Sequence, residues 1–213
     1  MNQPTMQCAQ SPQIALLCVA SGSDFATQPV AAADLVFGGI HGDLHAGLTR
    51  PACARTRWHV RGTPIANTRQ ISIVSLEECA EIAGLLQIPD VDPGLLGANL
   101  VTRGLPDLTT LAAGTRLQFP SGATLFVTEE NTPCRCPGAK LAHAHQQPRL
   151  EVAFARAAMG RRGLVCLVER EGRIVKDDPI ALIVPRAHRR MQVMPVAMLM
   201  SGGQPRCSAS VRR

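Results

Sequence analysis

The sequence predicts a mainly β fold: a β-rich α+β domain whose strands close into a barrel, with a few helices packed outside. Three observations predict it. The 213 residues include 18 glycines and 16 prolines spread along the chain, which favours many short elements joined by turns. Seven or eight short apolar runs, bounded by turn residues, read as strands. Only two segments carry helical periodicity.

In chain order, residues 1–12 are polar and read as a flexible N-terminus. Ile14–Ala20 (IALLCVA) reads as the first strand and Ser21–Ala33 as a loop. Leu35–Ile40 reads as a short strand running into the glycine-rich loop Gly38–Gly47. Arg50–Arg69 is rich in arginine and has no clear periodicity. Ile71–Val74 is a strand. Ser75-Leu-Glu-Glu78 has the capping-box pattern, and apolar residues from Leu76 to Leu86 recur at helical spacing. Leu100–Thr102 is extended, and Leu105–Leu108 a short helical turn. Arg116–Phe119 and Ala123–Glu129 flank a Pro-Ser-Gly turn, which predicts a hairpin. Glu130–Gly138 (ENTPCRCPG) reads as irregular because of Pro133 and Pro137. Arg149–Met159 is the second helix. Leu164–Glu169, Arg173–Val175 and Ile180–Val184 are late strands. Met191–Met200 is apolar enough to pack, but Pro195 hides its type. The main domain is therefore expected over residues 13–185. A basic segment follows over 186–213, disordered from 201.

Composition excludes several classes. Charged residues are 18% of the chain, against about 25% in a typical domain. Aromatic residues are 3%, with Trp58 the single tryptophan and no tyrosine, so a base-stacking platform for nucleic acid is not expected. The formal charge of +6 sits wholly in residues 186–213, which hold six arginines and no acid. It therefore says nothing about the ligand of the domain. Ile14–Ala20 is far shorter than the roughly 20 residues of a membrane span. No Lys or Arg precedes Arg50, so no secretory or mitochondrial leader is expected. Eight cysteines without framework spacing suggest reduced thiols in a cytoplasm.

Three constellations carry candidate chemistry. Cys134 and Cys136 lie in a proline-bounded loop after a strand, with Arg135 between them and Lys140 beyond. A neighbouring cation favours the thiolate, which is the nucleophile and the metal ligand; the alternative is an inert turn. Cys134, Cys136, His143 and His145 could instead form a structural zinc module, although neither pair has the usual zinc spacing. His41, Asp43 and His45 sit in the glycine-rich loop, where backbone amides can approach an anion or the side chains can simply hold the loop. Cys18, Cys79 and Cys166 fall on apolar faces and read as packing residues.

Five segments then coincide in order: Gly42-Asp43-Leu44-His45-Ala46-Gly47, Gln70–Ser75, Pro93–Leu100, Leu111–Leu117 and Glu130-Asn131-Thr132-Pro133-Cys134. From about Ile14 to Pro185 the chain resembles the MOSC domain, named for the C-terminal region of molybdenum-cofactor sulfurase. It is most similar to the small stand-alone bacterial members. The resemblance implies a barrel-like β fold and a role around the molybdenum cofactor (molybdopterin), or in carrying activated sulfur on a loop cysteine. Cys134 matches the family cysteine, and so becomes the expected catalytic residue and molybdenum ligand. Asp43, His45, Arg69, Asn99 and Arg135 become the expected cofactor-binding residues, with Arg50, Arg55 and Arg57 as further partners for the pterin phosphate. The family's Gly-Glu-Asn stands here as Gly97-Ala98-Asn99, without its carboxylate. Cys136 falls outside the pattern and is a candidate resolving thiol.

Two functions follow from the resemblance. One is a small molybdenum-dependent reductase of N-hydroxylated compounds, served by an electron-donor protein. The other is a non-catalytic persulfide carrier or cofactor chaperone fed by a separate cysteine desulfurase. Pyridoxal phosphate would enter only through that desulfurase. Neither nucleic acid nor a membrane is an expected partner.

Overall fold

A computed structural model of the chain describes residues 11–22 and 24–185. The expected loose N-terminus up to residue 10, the basic segment 186–213 and its apolar run Met191–Met200 lie outside the described residues.

The elements run as follows. Strands β1 (Gln13–Val19), β2 (Gln28–Val30), β3 (Ala32–Val36), β4 (Gly39–Ile40), β5 (Thr49–Pro51), β6 (Pro64–Ala66) and β7 (Ile71–Ser75) lead into helix α1 (Leu76–Leu86). Then come β8 (Leu100–Arg103), a 3-10 turn (Leu108–Thr110), β9 (Arg116–Gln118) and β10 (Thr124–Glu130). Helices α2 (Arg135–Ala144) and α3 (Leu150–Ala157) precede β11 (Leu164–Arg170), β12 (Gly172–Val175) and β13 (Ala181–Ile183).

Eight strands form one sheet in the order β13-β9-β10-β11-β7-β8-β1-β2. Every pair is antiparallel except β7 with β8, whose connection runs through α1. The ladder is open between β2 and β13 among the described residues, so the expected closed barrel does not appear as a continuous ring. The sheet does curl. A single bridge between Gln13, at the start of β1, and Pro179, just before β13, ties these parts together, with Ile14 donating to the Asp178 carbonyl and Ile180 to that of Pro12. Strands β12, β3 and β4 form a small second sheet, and β5 with β6 a third.

Period-two alternation divides the strands between two cores. Ile14, Ile73 and Leu100 face the inside of the curled sheet with Leu35, Leu117, Leu125 and Val127. Their neighbours Ala15, Val74 and Val101 face the helices, against Ile82, Leu86, Leu141 and Phe154. Strands buried on both faces explain why the chain shows continuous apolar runs rather than alternation.

Several local expectations are corrected. The run 35–40 is two strands, because the chain reverses at Phe37-Gly38 and Gly39 takes φ 126°. The segment 21–33 contains β2 and the start of β3. Ser75 does cap α1, its hydroxyl accepting from the Glu78 amide at 3.0 Å. Glu78 does not complete the box. Its carboxylate is buried and accepts instead from the amide and hydroxyl of Thr109, both at 2.8 Å. Burial pushes this carboxyl above its usual range despite those bonds. The helical turn expected at 105–108 falls at Leu108–Thr110.

The largest correction is α2, which begins inside a stretch expected to be irregular. Pro137 is the third residue of α2, where its missing amide has no intrahelical role, so proline starts the helix rather than breaking it.

Cys79 is 4% exposed, packed between α1 and the sheet, and burial pushes its thiol up to about 12. Cys79→Ala is expected to cost about 1 kcal/mol of stability, from the small void it leaves. Chemical denaturation measures this. An unfolding free energy equal to that of wild type would contradict the packing role.

Candidate functional site

A pocket of about 290 Å³ opens where the N-terminus of α2 meets the loops after β4, β6 and β10. Its wall includes His45, Arg55, Arg69, Asn99, Cys134, Cys136 and Arg162. No Asp or Glu lines it.

Cys134 is the N-cap of α2, extended at φ −139° and ψ 175°. Its thiol makes no capping hydrogen bond, and Pro137 offers no third-residue amide to cap. Cys134 is half-buried and its thiol is free, at the N-terminus of α2. Cys136, in the first turn of the same helix, is exposed and lines the same pocket.

The glycine-rich loop contributes through Asp43. Its side chain is fully buried and accepts four hydrogen bonds. Oδ2 receives the Ala20 amide and Asn99 Nδ2, each at 2.8 Å. Oδ1 receives the His45 amide at 2.7 Å and His45 Nδ1 at 3.0 Å. Burial alone would raise this carboxyl, but the bonds from the His45 ring and the Ala20 and His45 amides outweigh it and hold Asp43 below the usual carboxylate range. An ionised Asp43 needs a donor, so Nδ1 carries the proton and Nε2 is the free ring nitrogen of His45. Asn99 is equally committed, its Oδ1 accepting from the Ser72 amide at 3.0 Å. Asp43 and Asn99 thus act as scaffold, and His45 is the loop residue offered to a ligand. His41 is exposed and outside the pocket.

Asp43→Asn is expected to cost about 2–3 kcal/mol at neutral pH, because an amide cannot accept from four donors. The folded carboxyl is depressed, so its stabilisation is present above the unfolded value and lost as pH falls through the folded one. The gap between wild type and variant should therefore close below about pH 4. A gap independent of pH in acid titration would contradict the charged role.

The arginines divide sharply. Arg69 donates to Glu129 at 2.6 Å and to Asn131 at 2.8 Å, with 14% of its side chain exposed. Arg55 donates to the Thr132 carbonyl at 2.9 Å, tying its loop to the strand end before Cys134. Arg50 and Arg57 bond locally, outside the pocket. Arg135, expected to activate Cys134, turns away to Glu151 at 3.0 Å and is absent from the wall. Lys140 pairs with Asp24.

Arg162 was not anticipated. It is 5% exposed and donates through Nη2 to the Leu96 carbonyl, while buried Nη1 has no partner among the described residues. Burial pulls its guanidinium down to about 10, so it remains a cation at neutral pH. Gly163 fixes the approach: at φ 81°, a Cβ there would lie 1.9 Å from the Ile73 carbonyl. In sequence, Arg161-Arg162 looks like solvated charge, and Arg161 is indeed an exposed partner of Glu81. The only hint is the glycine that follows.

The zinc module is not assembled. No group of three or more metal-binding side chains comes together among the described residues. Helix α2 separates the pairs, with His143 in its last turn about 13 Å along the axis from Cys134.

The other thiols differ from this pair. Burial raises Cys18 and Cys166 as it does Cys79. Cys53 is lowered, first by the Arg55 amide and then by Arg50. It does not line the pocket.

The MOSC domain family model matches residues 42–181. The chain belongs to the MOSC family. It is 48% identical over 165 residues to a Bacillus subtilis (strain 168) protein named "putative metal-sulfur cluster biosynthesis proteins YuaD". That match spans 77% of this chain and 86% of the relative. The crystal structure of the YuaD protein from Bacillus subtilis superposes with a TM-score of 0.81 at 45% identity, covering 83% of this chain and 98% of that one. YiiM from Geobacillus stearothermophilus shares the fold, with a TM-score of 0.55 at 19% identity, over 88% of this chain and 81% of its own. The matched MOSC region contains every wall residue named above. No helix among the described residues is long and apolar enough to cross a membrane.

Proposed function

We propose that this MOSC protein carries activated sulfur on Cys134 at the mouth of a cationic pocket that receives an anionic acceptor. The observation that carries this reading is Arg162. A buried guanidinium with an orphaned donor is costly, and an anion in the pocket that Arg162 lines would offset its charge. Arg55 adds positive charge to a wall that holds no carboxylate, and Arg69 adds guanidinium donors although its charge is paired with Glu129 outside the wall. The name of the Bacillus subtilis relative supports sulfur handling, and family membership supports the molybdenum cofactor as the anion.

The residues present fit that cofactor. Cys134 offers a soft sulfur donor for molybdenum, and Arg162 with Arg69 offers guanidinium donors for a phosphate. When bound, the cofactor supplies the oxo-transfer redox chemistry of a molybdenum centre. This chain's own residues orient and neutralise it: Asp43 fixes the His45 ring, and Arg162 holds the negative end.

In the carrier reading, the Cys134 thiolate takes the terminal sulfur of a desulfurase persulfide. The new bond is Cys134 S–S, and the desulfurase leaves as its thiolate. The sulfur donor is a separate pyridoxal-phosphate cysteine desulfurase, and the reaction takes place in the cytoplasm, where thiols stay reduced. A molybdenum-dependent reductase of N-hydroxylated compounds, served by an electron donor, would use the same pocket, and Arg162 favours it too.

One experiment separates the two. The protein is incubated with a cysteine desulfurase and cysteine, and the Cys134 peptide is weighed. An added sulfur atom supports the carrier. An unmodified Cys134, together with stoichiometric molybdenum and pterin after native purification, overturns the carrier in favour of the reductase.

A further inference from the structure

We propose that Cys136 expels the sulfur carried by Cys134 as hydrosulfide, within the pocket, through an intramolecular disulfide. This step rests on the carrier reading above.

Both cysteines line one pocket although they leave the backbone two residues apart. Two residues apart within a helix, their side chains would project to nearly opposite sides. Here Cys134 is not helical. As the extended N-cap of α2 it escapes that geometry, while Cys136 sits in the first turn. With Arg135 in the helix between them, helix geometry puts their Cα atoms about 5.4 Å apart. That lies inside the range of roughly 4.4–6.8 Å that a disulfide spans. The Cys134 sulfur is not engaged by the helix, since it makes no capping bond. Arg162 supplies the independent sign of an anion at this spot, because its unpartnered Nη1 belongs to a side chain lining the same wall.

The step balances. The Cys136 thiolate attacks the inner sulfur of the Cys134 persulfide, and an S–S bond forms between Cys134 and Cys136. The bond to the outer sulfur breaks, and that sulfur leaves with both electrons. The proton from the Cys136 thiol goes to the departing sulfur, giving HS⁻. The carried sulfur is reduced by two electrons and the two cysteines are oxidised together. A dithiol reductant of the thioredoxin class then restores the pair. The hydrosulfide appears as an anion among Arg55, Arg69 and Arg162, beside any electrophilic acceptor held there. Cys53 cannot substitute from its place outside the pocket wall.

The test uses the full chain loaded by a cysteine desulfurase and cysteine, then freed of small thiols. Persulfide on Cys134 is quantified first by peptide mass, so release is compared per loaded thiol. Wild type should release hydrosulfide without added thiol and gain the Cys134–Cys136 disulfide. Cys136→Ser and Cys136→Ala should hold the persulfide, releasing it about tenfold more slowly or less until a thiol is added. Because Cys136 is exposed, circular dichroism of both variants should match wild type. Equal release in the variants, or a loaded wild type that keeps its persulfide and forms no disulfide, overturns this step alone. A Cys134 that accepts no sulfur in any of the proteins overturns the carrier reading, and this step with it.

Discussion

Cys134→Ser is expected to abolish sulfur loading and to leave the melting temperature within about 2 °C of wild type. The loss is expected to be complete, because a serine hydroxyl at neutral pH is neither the nucleophile nor the soft ligand that the thiolate is. The small stability effect follows from position. Cys134 is half-buried at a helix end, makes no capping bond and belongs to neither core cluster. Serine is a good N-cap residue, so the variant can gain rather than lose at this position. Competitive alkylation near neutral pH gives a second readout. Cys18, Cys79 and Cys166 should stay unlabelled, because they are buried with raised thiols. Cys134 should be labelled, and a bound persulfide or molybdenum should protect it. Full loading of Cys134→Ser, with labelling and loading concentrated on Cys136, would move the carrier site two residues along.

Arg162→Met is expected to separate stability from binding. Methionine removes a buried charge whose Nη1 has no partner, which favours the variant. It also leaves the Leu96 carbonyl without its donor, which costs about 1–3 kcal/mol. The two terms oppose each other, so the unfolding free energy should change little. Anion binding should change much more. Loss of a charged, buried hydrogen-bond donor corresponds to about 1.5–3 kcal/mol, or roughly ten- to hundredfold in affinity. Inorganic pyrophosphate is a suitable probe: it should raise the melting temperature of wild type by mass action and leave that of Arg162→Met unmoved. A strongly destabilised variant with an unchanged pyrophosphate response would mean that Arg162 is only structural.

Much of the strand and helix order was legible in the chain. The apolar runs at 14–20, 71–74 and 164–169 and the hairpin around Pro120-Ser121-Gly122 are strands, and 76–86 and 150–157 are helices. These elements carry their signal locally, as periodicity, caps and turn residues. Helix α2 was hidden because prolines read as breakers unless it is known that one falls in a first turn. The split of 35–40 into two strands was hidden because a tight reversal depends on what each arm pairs with, here β12 for β3.

For the site, it was the resemblance to the MOSC domain that assigned Cys134, Asp43 and His45 to one place, and the structure gathers all three around the same pocket. Asp43 lies behind its wall and the other two on it. Sequence alone pointed to the family and determined the apolar strand runs and the capped first helix, since each is written in neighbouring residues. Tertiary structure alone decided which cations face that cysteine. It sent Arg135 to Glu151, although it adjoins Cys134 in the chain, and brought Arg162, 28 positions away, into the pocket through the tight approach of Gly163 to Ile73. A guanidinium on a long flexible stem takes its place from whichever acceptors the folded chain leaves within reach, and that depends on long-range packing rather than on position in the chain.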